Sequence, residues 1–119
     1  MVSPDPRDVD ASIEFVLEYL PQAERRTLSN SASRMAIKYL VAIGSLRIAQ
    51  EAELSEGDKQ QRWQEALSTL ATRLRYQAPT LRKQLEKGKW FEEYTITDEP
   101  RLEQALRITG ICPLWPFCT

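Results

Sequence analysis

The two cysteines are the most reactive side chains in this 119-residue sequence, and both lie near its C-terminal end. Cys112 and Cys118 are separated by five residues, and the chain contains no histidine. Structural zinc needs four Cys or His ligands, and a nucleophilic thiol or hydroxyl needs an adjacent base, most often histidine. We therefore expect no metal site, and we expect the thiols to pack as small apolar side chains.

Carboxylates are the other candidates for chemistry, and they occur as sequence neighbours, as in Glu92-Glu93 and Asp98-Glu99. Neighbouring residues point apart on a helix, which suits solvated charge better than general acid–base work. The four glycines are scattered and form no phosphate-binding loop. We expect no cofactor, no small-molecule substrate and no enzymatic activity. An enzyme that acts through carboxylates or a cysteine is the least favoured of three hypotheses.

Basic residues are concentrated between positions 59 and 89, where eight basic side chains accompany two acidic ones. Cations track phosphates and aromatic rings stack on bases, so a patch that combines them suits single-stranded nucleic acid. The alternative, which we favour, is that the Arg and Lys stems cover the edges of the core and that their charges neutralise the acidic segments on either side. The candidate nucleic-acid-binding residues are Arg62, Arg73, Arg82, Lys83, Lys87, Lys89 and Trp90.

The last nine residues are apolar and include two prolines, which excludes a regular helix. Leu114, Trp115 and Phe117 are the candidate partner-binding residues of this tail. The tail either folds back and closes the core of its own chain, which we favour, or docks on a partner or a second copy with the tryptophan as anchor.

The elements that position these residues are predicted to be helices. Asp5 is a candidate N-cap for a first helix that ends near Pro21, where a short turn through 22–28 follows. Residues 32–52 are apolar nearly all round, which predicts a buried central helix. Gly44 in its middle indicates the close approach of a neighbouring helix.

Three more helices are predicted in the rest of the chain. Pro79 should limit the third helix to about Tyr76, and Thr80 should begin a shorter one that ends near Gly88. A last helix ends at Gly110. The third helix has the clearest amphipathic pattern, carried by Trp63, Leu67, Leu70 and Leu74.

These elements predict one domain over residues 1–119, in the all-α class. It is expected to be a compact antiparallel bundle of five or six helices with an extended apolar C-terminal tail over 111–119. Apolar residues make up 42% of the chain, enough for a core without disulfides. The most apolar run, 39–46, is far shorter than the roughly 20 residues of a membrane span, and the N-terminus is polar and acidic, so we expect a cytoplasmic protein.

The function that these features favour is a non-enzymatic protein–protein interaction module, such as an adaptor, an assembly factor or a small subunit of a larger complex. Its partner would be another protein or a second copy of itself. The alternative is a nucleic-acid-binding helical subunit that uses the basic residues of 59–89. The acidic isoelectric point, about 5.6, argues against tight, autonomous binding to duplex DNA.

Overall fold

The computed structural model describes residues 5–28, 31–87, 99–112 and 114–117. Within these ranges the chain forms five helices and no strand. The helices are α1 (Val9–Tyr19), α2 (Gln22–Thr27), α3 (Ser31–Ala49), α4 (Glu56–Lys87) and α5 (Glu99–Thr109). The expectation of a compact, mostly helical protein is confirmed. The radius of gyration is 13.3 Å, close to the value of about 13.5 Å expected for a folded chain of this length.

The first helix begins three residues later than the sequence predicts. Asp8 is the N-cap, and its carboxylate accepts a hydrogen bond of 3.0 Å from the backbone N–H of Ala11. Asp5 instead accepts a hydrogen bond of 2.8 Å from the backbone N–H of Arg7 and pairs with the Arg7 side chain. These hydrogen bonds hold the pKa of Asp5 below its ordinary value and raise that of Arg7.

The third helix is the central buried element, as its all-round apolar sequence predicts. Ile37, Tyr39, Leu40 and Val41 are almost completely excluded from solvent. Helices α3 and α4 contact each other, and both also contact α1 and α5. The remaining helix, α2, packs on α4. Burial on several sides explains why most of α3 is apolar, and Arg34 and Lys38 are exposed charged residues in its first half.

The fourth helix runs for 32 residues and continues through Pro79, so it does not end near Tyr76. A proline inside a helix costs about 3 kcal/mol, because it removes one hydrogen bond and its ring clashes with a carbonyl of the preceding turn. The carbonyl that loses its hydrogen bond belongs to Arg75. Because Arg75 and Pro79 are both exposed, water can reach this side of the helix. The adjacent Ala78 is 1% exposed and keeps the opposite side packed in the core.

The described helices also bear on membrane insertion. Among them, none has both the length and the apolar composition that crossing a bilayer requires.

Two leucines of α3 provide a matched test of this arrangement, because Leu40 is 1% exposed and Leu46 is 40% exposed. Leu40→Ala should lower the free energy of unfolding by about 2–5 kcal/mol, since the substitution leaves a cavity in the core. Leu46→Ala should lower it by less than about 1 kcal/mol. Urea denaturation of the two variants measures both values, and equal losses would contradict the burial of α3.

Candidate functional site

The C-terminal tail lies against the helices in the described residues. Trp115 is 2% exposed, and Phe117 is half-buried and packs on the core. Leu114 is 69% exposed and points to solvent. Of the three side chains that the sequence suggests for partner binding, Leu114 is therefore the most accessible, Phe117 is partly accessible, and Trp115 is occupied inside its own chain.

A tight turn at the end of α5 aims the tail back at the core. Gly110 has a positive φ of 70°, and its backbone N–H donates to Arg107 O. The N–H of Ile111 donates to Leu106 O at 2.9 Å. This pair of bonds is the Schellman arrangement, which glycine favours because it adopts the left-handed conformation without steric cost.

Three arginines then hold the backbone of the turn and the tail. Arg47 Nη1 donates to Trp115 O at 2.9 Å, and Arg62 Nη2 donates to Phe117 O at 3.1 Å. Arg73 Nη2 donates to Gly110 O at 2.7 Å. We call Arg47, Arg62 and Arg73 the arginine clasp. Within the tail, the carbonyls of Cys112 and Leu114 accept from backbone N–H groups. The clasp supplies donors for the three other carbonyls named above.

The ring of Trp115 fills a space beside Gly44 of α3, where it meets Trp63 of α4. The two indole centroids lie 5.8 Å apart with an interplanar angle of 52°. A Cβ atom added to Gly44 would lie 2.6 Å from Trp115 Cη2 and 2.9 Å from Trp63 Cζ3, too close for either ring to stay in place. The close approach that Gly44 indicates therefore comes from two tryptophan rings, one of them in the tail. We call Gly44, Trp63 and Trp115 the tryptophan interlock.

The candidate nucleic-acid-binding residues have several different locations. Arg62 and Arg73 belong to the arginine clasp. Arg82 and Lys83 are exposed on α4. Lys87 is the last residue of α4, where the structure does not describe its side chain, and Lys89 and Trp90 lie outside the described residues.

Within α4, four exposed residues form a basic and aromatic surface that we call the outer face of α4. Tyr76 is 76% exposed, and the Arg75 guanidinium lies 5.9 Å from its ring centroid. Arg82 follows Arg75 by seven positions, and Lys83 follows Tyr76 by seven. Seven residues make almost two helical turns, so each later residue lies on the same side of the helix as the earlier one. Since α4 does not break at Pro79, all four residues lie on one helix.

A groove of about 320 Å³ between α1 and α3 has a different charge pattern. Its α1 wall is acidic, its α3 wall is basic, and two half-buried apolar side chains form its floor. The four charged residues are exposed, and within the described part of the chain none of them forms an ion pair or a side-chain hydrogen bond. The residues that line this α1–α3 groove are Asp10, Ile13, Glu14, Arg34, Met35 and Lys38.

Sequence reasoning misses the α1–α3 groove, although a signal for it is present. Asp10 and Glu14 are four residues apart, and so are Arg34 and Lys38. Like charges at this spacing are mildly destabilising in a helix unless something offsets them. The two pairs have opposite signs, but only the packing of α1 on α3 reveals that they face one groove.

The described residues contain no cluster of three Cys, Asp or Glu side chains with the geometry to hold a metal ion. Comparison of the chain with protein-family models, with curated proteins and with solved structures finds no match.

Gly44→Ala tests the tryptophan interlock, with Gly57→Ala as its control. Alanine raises helix propensity by about 1 kcal/mol at either site, but at Gly44 the new methyl group collides with two indole rings. Gly57 lies in the first turn of α4, and no atom there would meet an added Cβ within 4 Å. Gly44→Ala should lower the free energy of unfolding by about 1–3 kcal/mol and perturb tryptophan fluorescence. Gly57→Ala should leave the free energy unchanged or slightly higher, and similar behaviour of the two variants would contradict the interlock.

Proposed function

We propose that this chain is a non-enzymatic protein–protein interaction module of the cytoplasm, an adaptor, assembly factor or small subunit, and that the α1–α3 groove is its docking surface. The scaffold in this proposal is an antiparallel bundle of five or six helices. The observation that carries the proposal is the set of exposed charges along the groove that have no partner among the described residues.

The groove offers the features that protein docking uses. Ile13 and Met35 are half-buried, so each still has apolar surface that a partner can cover. Methionine adapts its shape to different surfaces because its side chain is unbranched and flexible. The charged walls would favour one orientation of a partner over others and speed its association.

The tail is less suited to be the main docking element. The ring of Trp115 is in the interlock, and its carbonyl accepts from Arg47. Releasing the tail would therefore uncover the core and break the clasp. Leu114, at 69% exposure, and the exposed part of Phe117 are the tail surfaces that a partner can reach without any rearrangement.

Two charge reversals distinguish the docking surface from the rest of the protein. Lys38→Glu changes the basic wall of the groove, and Lys83→Glu makes the same chemical change at an exposed lysine on α4. We expect partner proteins to co-purify with the wild-type chain from its native host after nuclease treatment. Lys38→Glu should lose them, and Lys83→Glu should retain them. Retention by Lys38→Glu, or complete loss on nuclease treatment, would contradict the proposal.

A second candidate function is binding of single-stranded nucleic acid, and the outer face of α4 is the observation that favours it. Arg75, Arg82 and Lys83 supply positive charge beside the exposed ring of Tyr76. Single strands are favoured over duplex because the ring can stack only on an unpaired base. The clasp residues Arg62 and Arg73 are poor choices for testing this function, because their substitution would also release tail carbonyls.

Arg82→Glu combined with Lys83→Glu tests the second candidate. If the outer face binds phosphates, this variant should bind an oligonucleotide more weakly, and the slope of log affinity against log salt should become shallower by roughly one unit per lost phosphate contact. Fluorescence anisotropy with a labelled single strand measures both quantities. Lys38→Glu serves as the control, since it makes the same type of change outside this face. Lack of salt-sensitive binding by the wild-type chain would exclude this function.

A further inference from the structure

We propose that the occupant of the α1–α3 groove is a second copy of this chain, in a symmetric dimer whose two-fold axis runs parallel to the groove. This inference rests on the proposed function, because it names the partner of the same surface. It comes from the way in which the charges are divided between the two walls.

The division of charge is complete within the groove. Asp10 and Glu14 lie on α1, and Arg34 and Lys38 lie on α3. The groove thus has one acidic edge and one basic edge with an apolar floor between them. A partner that matches it must present the same pattern reversed from left to right.

A second copy of the chain presents that reversed pattern in one orientation. Rotation by 180° about an axis parallel to the groove exchanges left and right, so the acidic edge of each copy faces the basic edge of the other. Rotation about an axis across the groove would instead place acid on acid and base on base. Symmetric dimers use one surface patch on both subunits, and such a patch must be self-complementary. The charge pattern meets this requirement and selects the first axis.

The apolar floor is consistent with the same arrangement. Under this axis the Ile13–Met35 floor of one copy faces that of the other, so these apolar side chains lie inside the interface. The two like charges on each edge, four residues apart, repel each other. In the dimer they face the opposite charges of the other copy, which offset this repulsion. Because exposed ion pairs carry much of the specificity, salt should weaken the dimer.

The wild-type chain gives the first test. Sedimentation velocity over a range of protein concentrations should show a monomer–dimer equilibrium, and added salt should shift it toward monomer. This measurement needs no variant, so it cannot fail through misfolding. A chain that stays monomeric at low salt and at its highest soluble concentration would overturn the dimer.

Two wall-reversal variants test the orientation. One carries Asp10→Lys with Glu14→Lys, which makes both edges basic, and the other carries Arg34→Glu with Lys38→Glu, which makes both edges acidic. Each alone should dimerise at least about tenfold more weakly than the wild type, because every cross-interface pair becomes repulsive. An equimolar mixture of the two should form a heterodimer, since all pairs become attractive again. Circular dichroism and thermal unfolding show that each variant is folded.

A four-residue exchange that swaps the two walls completes the test. It combines both sets of substitutions in one chain, so that α1 is basic and α3 acidic, and it should restore the homodimer. Variants that all dimerise as well as the wild type would show that a dimer forms through another surface. The two proposals also fail separately. A monomeric wild type whose Lys38→Glu variant loses a co-purifying protein contradicts only the second copy as the occupant. A wild type that dimerises, with wall-reversal variants that dimerise equally well and a Lys38→Glu variant that keeps every co-purifying protein, contradicts the groove as a docking surface.

Discussion

The described fold depends on the insertion of Trp115 between α3 and α4, beside a helix position that has no side chain. The absence of a Cβ at Gly44 makes room for the ring, and Trp63 provides the surface on which it packs. The contact continues to α1. Trp63 Nε1 donates a hydrogen bond of 2.8 Å to Ser12 Oγ. Ser12 Oγ in turn donates a hydrogen bond of 2.9 Å to the backbone carbonyl of Asp8, the N-cap residue of α1. The last segment of the chain is thus linked to the start of its first helix through two indole rings and one buried hydroxyl.

This linkage also bears on the proposed docking surface. Asp10 of the groove lies two residues after the Asp8 cap, and α3 carries both Gly44 and the basic wall. The interlock therefore fixes the helices that form the two walls, although its own residues lie outside the groove. Ser45, next to Gly44, donates to Pro6 O and ties α3 to the segment before α1. A docking surface held in this way needs little ordering when it binds, which favours affinity.

Sequence reasoning recovers the features that depend on local pattern. The burial of α3, the amphipathic stripe on α4 and the turn at Gly110 each follow from residue types at helical spacing or at a helix end. It fails where tertiary contacts outweigh a local signal. Pro79 is a helix breaker by propensity, yet the packing of Leu74 and Ala78 in the core lets α4 continue past it. The α1–α3 groove could not be predicted, because its two walls are at least 20 residues apart in sequence and become neighbours only through packing.

The placement of the basic residues supports the proposal of protein docking over that of nucleic-acid binding. Taken along the sequence, Arg62 and Arg73 are two of the cations that a phosphate backbone would need. In the structure both donate to carbonyls of the turn and the tail, and the Arg62 guanidinium also lies 5.9 Å from the Phe117 ring centroid. Their charge is therefore engaged in closing the core before any ligand arrives. A phosphate that recruited these two arginines would compete with the hydrogen bonds that hold the tail, whereas a protein bound in the α1–α3 groove would leave the arginine clasp and the tryptophan interlock intact.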